Sequence, residues 1–177
     1  MDDDVTVEPA DLSGAFKLVG ELLYHFAILE REIDLAMGKL LGIAGGPLDI
    51  VASNTDFMRK VKVLWSTEGF LAAQPDIDRK KLLKQTWSSI TQLNDDRKMA
   101  AHALFERIGD SVVFRHVATG KGLTVDTVEW SPTDVQAKVQ HIQRTIDNLQ
   151  VILRDMKPYA ASMDFSDRRN SGLVPLL

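Results

Sequence analysis

The 177-residue chain predicts a mainly α protein: an up-and-down bundle of four or five helices, with one β-hairpin inserted before the last long helix. Three observations predict it. Apolar residues recur every three or four positions over long stretches, which is the period of one helix face. One region, 111–130, switches to alternation rich in β-branched residues. The links between the helical stretches are short, which favours neighbouring antiparallel helices.

Taken in order, residues 1–10 read as a disordered acidic lead, 11–158 as the bundle and 159–177 as a tail. The first helix starts near Asp11 and carries Leu12, Phe16, Val19, Leu23, Phe26, Ile33, Met37 and Leu40 on one side. Gly42, Gly45, Gly46 and Pro47 end it. The second stretch, 47–73, has Phe57, Val61, Leu64, Trp65 and Phe70 as its apolar side, with Arg59, Lys60 and Lys62 opposite or at its edge. Asn54 is placed to divide it into two pieces, and Gln74-Pro75-Asp76 reads as a turn. The third helix runs from Asp76 or Asp78 to Phe105, and Asn94-Asp95-Asp96 marks a place for a kink or a fresh start. The hairpin pairs Ser111–His116 with Leu123–Trp130 across a turn at Thr119–Gly122. Ser131 caps the last helix, Pro132 opens it, and Val135, Val139, Ile142, Ile146, Leu149, Ile152 and Met156 face inward before Lys157-Pro158 stops it.

Composition narrows the chemistry. There is no cysteine, so disulfides, thiolate metal sites and cysteine nucleophiles are excluded. The formal charge is −4, but Asp2, Asp3, Asp4, Glu8 and Asp11 hold five of the 25 acids, leaving 20 against 21 Lys and Arg. That excludes a general nucleic-acid coat and leaves room for a small basic site. The acidic start is unlike a secretory signal, and apolar runs fall short of the ~20 residues a membrane span needs. The chain therefore reads as soluble and cytoplasmic, with no membrane partner. Phosphate-loop, dinucleotide-binding, serine-hydrolase and zinc-protease motifs are absent, and His25, His102, His116 and His141 share no metal-ligand spacing. No metal site and no cofactor are expected. His25 reads as a packed or boundary residue, His141 as solvated and His116 as a hairpin position.

His102 stands apart through its company, Asp95-Asp96-Arg97-Lys98-Met99-Ala100-Ala101-His102. Lys98 and His102 are four apart and share a helix face. Arg97 and His102 are five apart, about 140° round an ideal helix. An arginine can grip a phosphate through two hydrogen bonds, and an imidazole can move a proton to or from a ribose hydroxyl. Arg97 and His102 are thus the candidate catalytic pair, and Lys98 a candidate substrate-binding residue. The plain alternative is a wet face on which Arg97 and Lys98 pair with Asp95, Asp96 or Glu106.

The string Leu93–His102 resembles the signature of the HEPN superfamily, an arginine and a histidine separated by four to six residues on a late helix of an α-helical bundle. Gly20–Glu30 is similar to the first helix of such proteins and Asp56–Val61 to their second, so the resemblance covers about residues 12–157. It implies a metal-independent endoribonuclease, of the kind found in toxin–antitoxin and defence systems. By that analogy Arg97 stabilises the scissile phosphate and His102 assists attack by the 2′-hydroxyl, with no cofactor. It also implies a homodimer in which two motif helices form one cleft, an RNA substrate, and an antitoxin or nucleotidyltransferase as partner. One position departs from the pattern. Lys98 stands where such proteins commonly have Asn, Asp or His, and a lysine donates hydrogen bonds but accepts none. A non-catalytic dimerisation or protein-interaction module of the same fold is the other reading.

Overall fold

The computed structural model describes residues 12–71, 77–118 and 124–154. The expected acidic lead, the turns at Gln74-Pro75-Asp76 and Thr119–Gly122, and the C-terminal tail fall outside those residues. The chain is mainly α; among the described residues it has five helices and a three-stranded antiparallel sheet just before the last of them: α1 (Ser13–Leu41), α2 (Gly46–Ser53), α3 (Phe57–Leu71), α4 (Ile77–His102), β1 (Leu104–Ile108), β2 (Ser111–Ala118), β3 (Thr124–Trp130) and α5 (Pro132–Arg154). It falls into two compact units. One draws on Met1–Leu29 and Ser88–Ile146, the other on Glu30–Trp87 and Asp147–Leu177. Among the described residues, no single helix is long and apolar enough to cross a membrane.

In the first unit, Ala15, Val19, Leu22, Phe26 and Leu29 are the buried face of α1. Val19 and Phe26 are buried as expected, and Phe16 departs from the expected stripe, being 60% exposed while Ala15 is buried. Phe16 instead meets Phe105 edge-on, with ring centroids 5.4 Å apart. That contact explains a second difference. The third helix was expected to reach Phe105, but α4 stops at His102 and Leu104–Ile108 forms β1. Phe105 pairs with Phe114 in the ladder, and Phe16, Phe105, Phe114 and Trp130 form a chain of ring contacts at 5.4, 5.9 and 4.4 Å. Each aromatic contact adds about 0.5–1.5 kcal/mol beyond area burial, which is enough to override helix propensity at a helix end. The β1–β2 turn is Gly109-Asp110, with Gly109 at φ 61°, a conformation glycine adopts without a Cβ clash. Phe114, Val112 and Trp130 give the sheet its buried side.

α4 runs unbroken through Asn94-Asp95-Asp96. Asn94 is buried, Asp95 accepts from Lys98 at 3.2 Å, and Asp96 from Lys138 of α5 at 2.8 Å. These partners outweigh the weak helix propensity of the three residues. α5 opens as expected on a reciprocal cap. Asp134 N donates to Ser131 Oγ at 3.2 Å, and Ser131 N donates to Asp134 Oδ2 at 2.8 Å. The Ser131 hydroxyl, which donates to Asp134 Oδ2 at 2.6 Å, and after it the Ser131 N–H hold the Asp134 carboxyl below its ordinary range.

In the second unit, α1 ends where Ile43 N reaches Gly38 O at 3.0 Å and Gly42 takes φ 68°, the left-handed closing turn of a helix. The expected division at Asn54 is observed. Asn54 Nδ2 takes the Ile50 carbonyl at 2.8 Å, and Asp56 Oδ1 accepts from Arg59 N at 2.9 Å to start α3. α2 rests closely on α1, since a Cβ added at Gly38 would lie 2.8 Å from Leu48 Cδ2 and 2.9 Å from Ile43 O. The last turn of α5 is closed by basic side chains. Arg79 donates to Ile152 O at 3.1 Å and Lys39 Nζ donates to Leu153 O, so two orphan carbonyls find partners where a helix end favours cations.

The structure overturns one charged position. Lys60 was expected opposite or at the edge of the apolar side of its helix, yet it is 3% exposed. It lies three residues after Phe57 and four before Leu64, so it points the same way as both. Asp34 Oδ1 at 2.7 Å and Glu30 Oε1 at 3.3 Å take its charge.

Candidate functional site

The candidate residues lie on the last two turns of α4, in the first unit. Leu93, Asn94 and Ala100 point inward and fix the rotation of the helix. That rotation leaves Asp95 and Lys98 exposed and turns Arg97, half-buried, toward α1. The Arg97 guanidinium carbon sits 5.9 Å from the centroid of the buried Phe26 ring, within the ~6 Å at which a cation and a ring face attract.

Lys98 follows the wet-face alternative, with its ammonium 3.2 Å from Asp95 Oδ1. Asp96 is engaged by Lys138, which also lies 4.5 Å above the Trp130 ring. Glu106 is taken by Arg115 at 2.7 Å. The three acids near Arg97 in sequence are therefore each satisfied by another cation. Among the described residues the Arg97 side chain has no ion pair and no hydrogen bond. Its charge is held near an aromatic face, which does not neutralise it.

His102 is the last residue of α4 and is exposed. Among the described residues no hydrogen bond joins it to Arg97, in keeping with their separation of about 140° round the helix. The chain brings Arg97 and His102 to one helix end without bringing them together. Lys98 lies one turn from His102, held by Asp95 at a distance typical of a labile surface pair. Among the described residues no three His, Asp or Glu side chains come together as a metal-binding group.

Two polar contacts in the same unit escaped sequence reasoning. His141, expected to be solvated, is half-buried, with its Nε2 2.9 Å from Ser89 Oγ on α4. Burial pushes the His141 pKa below the ordinary histidine value. Arg144 and Lys138 add to that depression, and Asp96 opposes it. The second is Lys138, which joins Asp96 and Trp130. The signal available for both was the i, i+3 row Lys138, His141, Arg144 along α5. Its partners lie about 40–50 positions away in sequence, where spacing alone is silent. His25 is half-buried against Tyr24, ring centroids 5.5 Å apart.

No protein-family model, no curated protein and no solved structure matches this chain.

Proposed function

We propose that the protein is a metal-independent endoribonuclease of HEPN type that acts through Arg97 and His102. The observation that carries this reading is the charge of Arg97. It lacks a carboxylate partner among the described residues, although acids surround it in sequence. An arginine held in that state is suited to a phosphodiester, which it can grip with two parallel hydrogen bonds.

In the proposed reaction Arg97 holds the non-bridging oxygens of the scissile phosphate. His102 takes the proton from the ribose 2′-hydroxyl as its oxygen attacks phosphorus. The P–O5′ bond breaks, the leaving 5′-oxygen takes a proton from water, and a 2′,3′-cyclic phosphate and a 5′-hydroxyl end remain. No electrons are transferred to or from an outside reagent. Lys98 has only to swing away from Asp95 to add a second positive charge. The exposed position of His102 at the helix end supports a cleft completed by a second copy, so that the arginine of one protomer and the histidine of the other meet on one phosphate. A toxin or defence role, with an antitoxin or nucleotidyltransferase as partner and a cytoplasmic setting, follows from the same resemblance.

The test is incubation of single-stranded RNA in EDTA beside the same sequence with 2′-deoxy sugars. The reading expects cyclic-phosphate ends from the RNA, intact deoxy substrate, and loss of cleavage in His102→Ala. Cleavage of both substrates alike would sink it. One observation favours the non-catalytic module instead: Arg97 and His102 diverge round α4 and share no hydrogen bond among the described residues. That reading expects a stable dimer and no RNA cleavage under any of these conditions.

A further inference from the structure

In the second unit, a basic and aromatic patch forms on α3 and α4. The part of α4 in this unit, Ile77–Trp87, holds Arg79, Lys80, Lys81 and Lys84 against Asp78. Arg79 is committed to the Ile152 carbonyl. Lys80, Lys81 and Lys84 are exposed, as is Lys62 on α3, and among the described residues none of the four has an ion pair. Lys80, Lys84 and Trp87 recur at i, i+4 and i+7, within about 60° of one another round the helix. Trp87 meets Trp65 of α3 with ring centroids 5.1 Å apart, and Lys62 lies one turn before Trp65. Trp65 is 37% exposed, so part of its ring stays open to solvent.

We propose that Lys62, Lys80 and Lys84, together with the Trp65–Trp87 pair, bind single-stranded RNA. Exposed lysines without an ion pair among the described residues are complementary to a phosphate backbone. An exposed indole gives one base a stacking surface, which a duplex, with its bases already stacked, cannot use. A lipid surface would attract the same lysines and indoles, so vesicle binding is the competing outcome of the test. The choice of RNA rests on the ribonuclease reading, and the patch would hold substrate at residues separate from Arg97 and His102.

The experiment uses the full chain and a fluorescein-labelled 2′-O-methyl U12 oligonucleotide, which lacks the attacking hydroxyl and so stays intact. Anisotropy is followed for the wild type and for the Lys62→Gln/Lys80→Gln/Lys84→Gln variant across a salt series. The wild type binds and its tryptophan emission is quenched. The variant binds at least tenfold more weakly, and its log–log salt slope is shallower by about 2, since each lost phosphate contact on a single strand removes ~0.7. Trp65→Leu reduces the quench while keeping the salt slope. The proposal is overturned by equal binding in variant and wild type, by a wild type that does not bind, or by tighter lysine-dependent binding to phosphatidylserine vesicles than to the oligonucleotide. Cleavage of unmodified RNA is read in parallel. Binding lost in the variant without cleavage by the wild type keeps the patch and rejects the nuclease. Cleavage by a wild type whose binding ignores the lysines does the reverse.

Discussion

Two basic residues, one in each unit, show how differently the same charge can be used. Lys60 is buried and held by Asp34 and Glu30, at 2.7 and 3.3 Å. Arg97 is half-buried and faces Phe26, with no acid engaging it among the described residues. In sequence their prospects are reversed. Arg97 has acids immediately before it, and the acids that hold Lys60 are some thirty residues away. Local sequence suggests a neutralised Arg97 and a solvated Lys60, and packing produces the opposite. A buried cation held by two carboxylates is structural, because removing it strands the acids. A cation left facing a ring is available for a ligand.

The comparison is broken most directly at Lys60. Lys60→Ala leaves Asp34 charged and buried without its partner, and the expected loss is about 3–5 kcal/mol in urea-induced unfolding. A loss below about 1 kcal/mol would show that Asp34 and Glu30 do not depend on the Lys60 charge. Nearby, Gly38→Ala drives a methyl into Leu48 and the Ile43 carbonyl, and should cost about 1–3 kcal/mol in the same measurement. Arg97→Ala sharpens the contrast from the other side. It forfeits a cation–ring contact and no ion pair, so a loss of at most about 1 kcal/mol is expected.

The smallest effect is a pH dependence. The His141 pKa is depressed in the folded chain, so between that value and the ordinary histidine value of about 6.5 the unfolded chain binds more protons. Stability from this group is fully present above about pH 6.5 and is lost as pH falls through the folded pKa. His141→Gln keeps a partner for Ser89 and should flatten that part of the stability–pH curve, as followed by thermal unfolding at pH 5–7. A curve unchanged in the variant would assign the dependence to another group. Asp134 acts lower, near the carboxylate range. Its depressed pKa stabilises the fold above its unfolded value and the benefit disappears as pH falls through the folded one.

Much of the fold is legible in the sequence because its signals are local. The α1 face, the division at Asn54 and the Ser131–Asp134 cap each depend on residues within a few positions. What was missed depends on distant partners. Leu104 and Phe105 read as the end of a helix until Phe114 and Phe16 claim Phe105, although Gly109-Asp110, a two-residue hairpin signal, was present. The continuity of α4 through Asn94-Asp95-Asp96 needed Lys138 from α5. The candidate site divides the same way. The motif and the Lys98–Asp95 pair are local, whereas the Arg97–Phe26 contact and the burial of His141 against Ser89 arise from packing between helices.

The central claim is that the charge of Arg97 is kept for a phosphodiester and not for the fold. It is tested most directly by the single-turnover cleavage rate of RNA in EDTA for wild type and Arg97→Ala, with unfolding curves recorded on the same samples. The account predicts that the variant stays within about 1 kcal/mol of wild-type stability and loses cleavage by at least a hundredfold. A folded variant that cleaves at the wild-type rate would contradict it.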